Sequence, residues 1–98
     1  MAKYIVFWEV DTSRMPVDAK ERGQMWMMML DMIKQDIKAG IHKDWGSFVG
    51  ETKGYTISEG DHVELAKNLQ RFVPYCNFEM RQIASVDDNM EVAKSLTG

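Results

Sequence analysis

The run "KYIVFWEV" at residues 3–10 decides the fold, because its composition favours a strand with apolar side chains on both faces. The first face consists of four apolar residues, Tyr4, Val6, Trp8 and Val10. The second face presents Ile5 and Phe7 before Glu9 interrupts it. A strand that is apolar on both faces is normally covered on both sides. We therefore expect the second face of this strand to be covered as well.

The segment after this strand has the pattern of a long helix. Asp18 and Glu21 form an acidic version of a capping box, and Gly40 suits the position just beyond a helix end. The expected core stripe of this helix consists of Ala19, Gly23, Trp26, Leu30, Ile33 and Ile37. These residues follow each other in steps of three and four, which places them on one side.

The second half of the chain predicts two strands, a helix, a strand and a final helix. The glycine-bearing stretch at residues 42–60 reads as strands at about 44–50 and 54–59 joined by a tight turn. Asp61 then caps a helix whose apolar stripe comprises Leu65, Ala66, Leu69, Phe72 and Val73. Residues 77–85 alternate as a half-buried strand does, and a short helix is expected at about 87–97.

The resulting order predicts an α+β, ferredoxin-like domain over residues 1–98, with a β-α-β-β-α-β order, a four-stranded antiparallel sheet and a short C-terminal helix. Both crossover helices then cover one face of the sheet. The other face leaves Ile5 and Phe7 exposed to water, which costs roughly 25 cal/mol per Å² of apolar surface. We therefore expect a second copy of the chain to cover it, giving a homodimeric α/β barrel.

Composition narrows the class of protein. The 98 residues carry a formal charge of −3 with scattered bases, which argues against nucleic-acid binding. A single cysteine, Cys76, excludes an internal disulfide and fits a reducing cytoplasm. The apolar start is a poor signal peptide, and no stretch is long enough to span a membrane. Two histidines and one distant cysteine do not form a metal pattern, and no cofactor is expected.

Residues 45–88 strengthen the dimer prediction through a resemblance. The glycine-bearing hairpin, the G-Y-x-I-x-E strand that leads into an acidic helix start, and a final F-E strand resemble a small, functionally uncharacterised family of the dimeric α/β-barrel superfamily. The resemblance implies the fold and self-association but no reaction. The superfamily also contains cofactor-independent monooxygenases and muconolactone isomerase-like enzymes, whose ligands enter the barrel or the sheet–helix cleft. An enzyme on a small aromatic or carboxylated substrate is therefore an alternative by analogy.

The candidate ligand-binding residues are polar groups and one flat aromatic, expected on the open sheet face and its rim. They are Glu9, His42, Trp45, Thr56, Ser58, Glu79 and Arg81. In an enzyme, Glu9 would act as acid or base, Arg81 would anchor an anion and His42 would titrate near neutrality. A structural interpretation is also open: a Glu9–Arg81 ion pair across strands or subunits, and a solvated loop position for His42. The catalytic residues, if any, are not identifiable.

A third possible cover for the open face is RNA, because sheets of this order also form RNA-binding platforms. Lys53, Gly54 and Tyr55 start like the aromatic motif of such platforms, but Thr56 and Ile57 break it. Hairpin chemistry, with Tyr55 in the core, explains the same residues. We therefore expect no nucleic-acid partner.

The methionine-rich stretch "QMWMMMLDMI" at residues 24–33 is the remaining feature. Helical spacing places Met27 and Met29 on the flanks of the Trp26 stripe, as core filler. It places Met25, Met28 and Met32 together on the side opposite Trp26. Thioethers can bind Cu(I), but without His or Cys neighbours a partner surface is the better interpretation, facing either the terminal helix with Met90 or another subunit.

Overall fold

The computed structural model describes residues 2–98, so Met1 of the predicted 1–98 domain lies outside the described residues. The helices and strands are β1 (Lys3–Val10), α1 (Ala19–Lys38), β2 (His42–Ser47), β3 (Lys53–Glu59), α2 (His62–Gln70), β4 (Cys76–Ile83) and α3 (Val86–Ser95). A short 3₁₀ turn, Thr12–Arg14, lies between β1 and α1. The predicted α+β class and the β-α-β-β-α-β order are confirmed. Among residues 2–98, no helix combines the length and apolar character needed to cross a bilayer.

The four strands form one antiparallel sheet in the order β2-β3-β1-β4. Strand β1 therefore lies in the interior of the sheet, and its two faces differ as its sequence predicts. Tyr4, Val6, Trp8 and Val10 are buried beneath the helices, whereas Phe7 on the other face is 39% exposed. The alternation of β1 determines which face of the sheet receives α1 and α2.

The predicted helix starts are confirmed in two of three cases. The carboxylate of Asp18 accepts a hydrogen bond from the backbone N–H of Glu21, and Asp61 does the same for Glu64. Helix α3 begins one residue earlier than predicted and ends at Ser95 rather than 97. Its cap is Ser85, and Asp88 at the third helical position accepts a hydrogen bond from the backbone N–H of Ser85.

Strand β2 covers His42–Ser47 instead of the predicted 44–50. An irregularity in pairing between His42 and Asp44 shifts the register of the strand, so that His42 points into the core. The chain leaves the strand at Phe48, whose backbone N–H donates to the carbonyl of Lys53 and closes the turn. The alternation rule fails at such a bulge because it adds one residue on one strand.

The buried side of α1 is rotated from the predicted stripe. Its centre is Met29, which is 5% exposed, and the buried residue two turns later on the same side is Asp36. Trp26 and Ile33 lie at the edge of the core, as partly buried residues. Ile37, predicted in the stripe, is exposed, because Asp36 is drawn inward by polar partners on other elements.

Candidate functional site

The candidate residues expected on one face of the sheet lie on two faces. His42, Trp45, Thr56 and Ser58 lie on the side covered by the helices, and the His42, Thr56 and Ser58 side chains are buried. Glu9, Glu79 and Arg81 lie on the open side, since they share the parity of the exposed Phe7 in the strand register. The expectation of one polar site on the open face was therefore wrong for the first group.

Three tryptophans meet between the sheet and α1 and form what we call the tryptophan cleft: Trp8 on β1, Trp26 on α1 and Trp45 on β2. The rings of Trp8 and Trp45 are stacked, with centroids 5.2 Å apart and planes 6° from parallel. Trp26 lies 6.2 Å from Trp8 at a tilt of 51°. The indole N–H of Trp8 donates to the carbonyl of Tyr55, which fixes the ring across β3.

A glycine on β3 makes room for this stacking. Gly54 pairs directly with Trp8, and a Cβ atom there would lie 2.5 Å from the Trp8 ring and 2.7 Å from the Ser47 backbone. No side chain fits into that space, so the Trp8 ring crosses the strand where the chain has only hydrogen. The glycine reads as turn chemistry in the sequence, but its role in the structure is close approach.

The cleft is nearly filled by its own side chains. The cavity that it leaves, between Trp8, Trp26, Met29, His42 and Phe78, has a volume of about 30 Å³. That is room for about one water molecule, whereas ligand sites usually occupy about 300–1,000 Å³. In this conformation the cleft interior does not admit an organic ligand.

The polar residues beside the cleft form a buried network that joins four elements. Nδ1 of His42 lies 2.8 Å from Oγ of Ser58, and Nε2 of His42 lies 3.6 Å from Oδ2 of Asp36. The guanidinium of Arg71, just after α2, donates to the same Asp36 oxygen. Burial lowers the pKa of His42 below its usual value of 6.5; the Asp36 carboxylate opposes this shift and Arg71 adds to it.

The network has the residue types of a serine–histidine–aspartate triad, but its serine is inaccessible. Ser58 is completely buried, so no substrate reaches its hydroxyl group. Asp36 is held by Arg71, which compensates a charge that would otherwise be costly to bury. Asp36 and Arg71 were not predicted as site residues, because they lie 35 residues apart and no local motif links them. The sequence placement of His42 in a solvated loop was wrong.

The free thiol of Cys76 also lies beside the cleft. Burial raises its pKa to about 11, so the thiol stays protonated at neutral pH. Nucleophilic cysteines need the thiolate form near neutrality. Cys76 is therefore a packing residue in this conformation.

A wider groove opens at the end of the cleft, between the start of α1 and the β2–β3 turn. Its volume is about 650 Å³, and Trp26 forms its inner wall together with Val10 and Met15. Phe48 lines the opposite side, and Arg22 lies at the rim, where its guanidinium donates to the Val17 carbonyl. We call this the mouth groove. None of these residues was predicted as a ligand contact, because residues far apart in the chain form the groove.

The open face has an apolar centre and a charged border. Ile5, Phe7 and Ile57 are partly or largely exposed at its centre. The border carries both signs of charge, with ion pairs Lys3–Glu59 at 3.8 Å and Glu79–Arg81 at 2.8 Å. The expected Glu9–Arg81 pair does not form within one chain, because Glu9 lies opposite Lys53 and Asn77.

Tyr55 also lies on the open face. The predicted position of Tyr55 in the core was therefore wrong. Tyr55 lies directly opposite Phe7, and its hydroxyl donates to Asp44 at 2.8 Å. Two adjacent aromatics on a sheet suit base stacking, but the charged residues of this face number four acids and three bases. The face therefore lacks the excess of positive charge that is typical of phosphate-binding surfaces.

The five clustered methionines are distributed differently from the prediction. Met29 is core and Met27 is 60% exposed, so Met27 as core filler was wrong. Met25 and Met32 are partly buried against the core, and only Met28 of the predicted outward group is exposed. The three lie on the flank of α1 that faces residues 71–75, because Met29 and not Trp26 is the centre of the buried side.

Among residues 2–98, no three His, Cys, Asp or Glu side chains are grouped to hold a metal ion. No protein-family model matches the chain, and no curated protein matches it significantly.

Proposed function

We propose that this protein is a ferredoxin-like domain that forms a homodimeric α/β barrel through its open sheet face and binds a small organic ligand at the mouth of the tryptophan cleft. The observation that carries the dimer is the apolar centre of the open face, formed by Ile5, Phe7 and Ile57 on the two middle strands. A contiguous apolar patch with a polar rim is typical of an association site.

The border charges support a second copy as the partner. Positive and negative groups are interspersed around the patch, with Lys3, Lys53 and Arg81 among Glu9, Asp44, Glu59 and Glu79. A two-fold axis brings each part of such a surface against another part of the same surface. A border of mixed sign therefore finds opposite charges on its own copy, whereas a border of one sign would be repelled.

Sedimentation velocity tests the dimer. At micromolar concentration we expect the chain to sediment as a dimer and the Phe7→Lys variant to sediment as a folded monomer, because the lysine would place a charge at the centre of the interface. Val63→Lys adds the same charge to a half-exposed position on α2 and should leave the dimer intact. A monomeric parent chain, or a Phe7→Lys variant that stays dimeric, would contradict the proposal.

The mouth groove supports the ligand part of the proposal. Its volume lies within the usual range for small-molecule sites, its inner wall is the flat ring of Trp26, and Arg22 supplies a cation at the rim. An aromatic carboxylate matches both features, since its ring stacks on the indole and its carboxylate pairs with the guanidinium. The groove is open in the described conformation, whereas the cleft behind it is filled.

Titration with indole-3-carboxylate, followed through the indole N–H resonances of the three tryptophans, tests the groove. We expect the Trp26 resonance to shift more than that of Trp45, and Arg22→Gln to weaken binding about tenfold, the value of one hydrogen bond to a charged group. Indole without the carboxylate provides the control, because its affinity should not depend on Arg22. No shift at millimolar probe, or equal shifts in the Arg22→Gln variant, would remove the ligand assignment.

The enzyme alternative is supported less well. His42 is engaged by Ser58 and Asp36, and Cys76 stays protonated, so the titratable groups nearest the cleft are occupied. Among the described residues, the acids and bases of the open face are solvated. A binding role therefore explains the geometry with fewer assumptions. A cytoplasmic location stays a prediction from the single cysteine and the nine methionines.

A further inference from the structure

Helix α3 projects from the body of the protein. Strand β4 ends at Ile83, and every residue from 84 to 98 is exposed. The molecule extends 63 Å along its longest axis but only 25 and 20 Å along the others. Its radius of gyration is 16.5 Å, against about 13 Å for a compact domain of this length. Helix α3 therefore has little contact with the rest of the described chain.

The sequence of α3 is that of a packed helix, not of a solvated one. Ser85 and Asp88 form a reciprocal capping box, with bonds of 3.0 and 2.9 Å. Val86 and Met90 share one side of the helix, Leu96 follows its last residue at the edge of that side, and all three are exposed; Val92 is also exposed but lies on the other side. An isolated helix of ten residues is marginal in water even with good caps. A helix of this length and pattern needs a partner against its apolar stripe.

The amount of exposed surface points to a second copy as that partner. The chain exposes 7087 Å², whereas a compact monomer of 11.3 kDa exposes about 5,700 Å². The excess is about 1,400 Å² per chain, so two copies that covered it would bury nearly 2,800 Å² in total. That area lies in the range of obligate homodimers and well above that of transient contacts.

The same chain contains a groove that can accept the apolar stripe of α3. We call it the methionine groove. Met25, Met28 and Met32 on α1 form one wall, and Tyr75 with Arg71 forms the other. Met28 is 60% exposed and Tyr75 is 43% exposed, so the outer part of the groove is open. Methionine side chains are flexible and polarisable, which suits them to accept the apolar side of a helix.

Charge also matches between the two surfaces. Helix α3 carries Asp87, Asp88 and Glu91 against a single base, Lys94. The methionine groove has Arg71 at its rim; its guanidinium also binds Asp36, but the side chain is 40% exposed and has further N–H groups for an acidic helix. An acidic helix laid along this groove brings opposite charges together at the border of an apolar contact, which favours that orientation.

One chain cannot make this contact in the described geometry. Tyr75 lies next to the start of β4, whereas α3 leaves the far end of β4, about 26 Å away along eight residues, and points outward. The two unpaired apolar surfaces of the chain are therefore separated within one copy. Between two copies they can pair reciprocally.

We propose that α3 is an exchange arm: the stripe of Val86, Met90 and Leu96 in one copy packs into the methionine groove of a second copy, and the reverse. The inference rests on the proposed homodimer and adds a second contact to it. It assigns a partner to the exposed Met28, which the core packing of α1 does not use. The arm also gives a partner to a helix that no other described part of the chain covers.

Disulfide trapping in the full chain tests the packing of α3 in the methionine groove. Met28→Cys combined with Met90→Cys should form a disulfide between copies under mild oxidation, visible as a covalent dimer on a non-reducing gel. Met27→Cys combined with Met90→Cys is the matched control, because Met27 is equally exposed, at 60%, but faces another side of α1. The control should cross-link at least tenfold more slowly. Equal rates, or no cross-link at residue 28, would overturn the proposed packing.

Sedimentation equilibrium separates the arm from the sheet interface. Met90→Glu should raise the dimer dissociation constant at least tenfold, while Ser95→Glu, which adds the same charge to the polar side of α3, should leave it unchanged. If Phe7→Lys dissociates the dimer but Met90→Glu does not, the proposed contact of α3 is wrong and the proposed sheet interface is retained. If the parent chain is a monomer, both proposals fail together.

Discussion

Two neighbouring residues of β1 show how differently the two faces of the sheet are treated. Trp8 is 6% exposed, under the helices, stacked on Trp45 and hydrogen-bonded to Tyr55. Phe7 is 39% exposed, opposite Tyr55, with charged residues around it. Both are large aromatics on one strand, and only the cover differs. The covered face is completed by the chain itself, whereas the open face is completed by association in our proposal.

The two faces also treat polar groups differently. On the covered face His42, Ser58 and Asp36 are buried and bonded to each other, and together with Arg71 they tie α1, β2, β3 and the end of α2. On the open face the ion pairs are exposed to solvent, where such pairs contribute about 0–1 kcal/mol. Polar residues therefore hold the helices on one face, and on the other they are available to a partner.

The largest expected effect comes from truncating the two aromatics. Trp8→Ala should lower the free energy of unfolding by about 3–5 kcal/mol, because it leaves a cavity in the core. Phe7→Ala should lower it by less than about 1.5 kcal/mol when urea unfolding is measured at low protein concentration, where dimerisation contributes little. Equal losses for the two variants would mean that the two faces are equally packed within one chain.

The next effect concerns the glycine beneath Trp8. Gly54→Ala should cost about 3 kcal/mol or more, since the new methyl group meets the Trp8 ring and the backbone of β2. Gly23→Ala is the matched control: nothing lies within 4 Å of the added atom, and alanine favours a helix over glycine by about 1 kcal/mol. Thermal unfolding should move in opposite directions for the two variants. A Gly54→Ala variant with unchanged stability would show that the tryptophan cleft rearranges to accommodate the added methyl group.

The smallest expected effect is a pH dependence from the buried network. The pKa of His42 is lowered in the folded state, so below pH 6.5 the unfolded chain binds the proton more readily than the folded chain does. The stabilisation is complete above pH 6.5 and declines as the pH falls toward the lowered value. Urea midpoints between pH 7.5 and 5.5 should show this decline.

Two variants assign that decline. His42→Gln should flatten it, because glutamine does not titrate. His62→Gln should not, since the His62 side chain is 71% exposed and lies outside the buried network. A decline that persists unchanged in the His42→Gln variant would assign it to other groups.

Local patterns predicted most of the fold but little of the site. The two faces of β1, the caps at Asp18 and Asp61 and the helix end at Gly40 follow from residues close in sequence, and the structure contains each of them. The predicted positions of the site residues were wrong where the local sequence pattern was interrupted. The bulge before Asp44 directs the His42 side chain into the core. Because Asp36 is buried with its polar partners, Met29 and not Trp26 lies at the centre of the buried side of α1.

The sequence by itself determined the order of elements, the antiparallel sheet and the unequal faces of β1, because period, caps and turn residues act over a few positions. Tertiary structure alone decided that Gly54 makes room for Trp8, that Asp36 meets Arg71 and His42, and that α3 points away from its own body. These features depend on residues far apart in the chain, and their distances are set only when the whole core is packed.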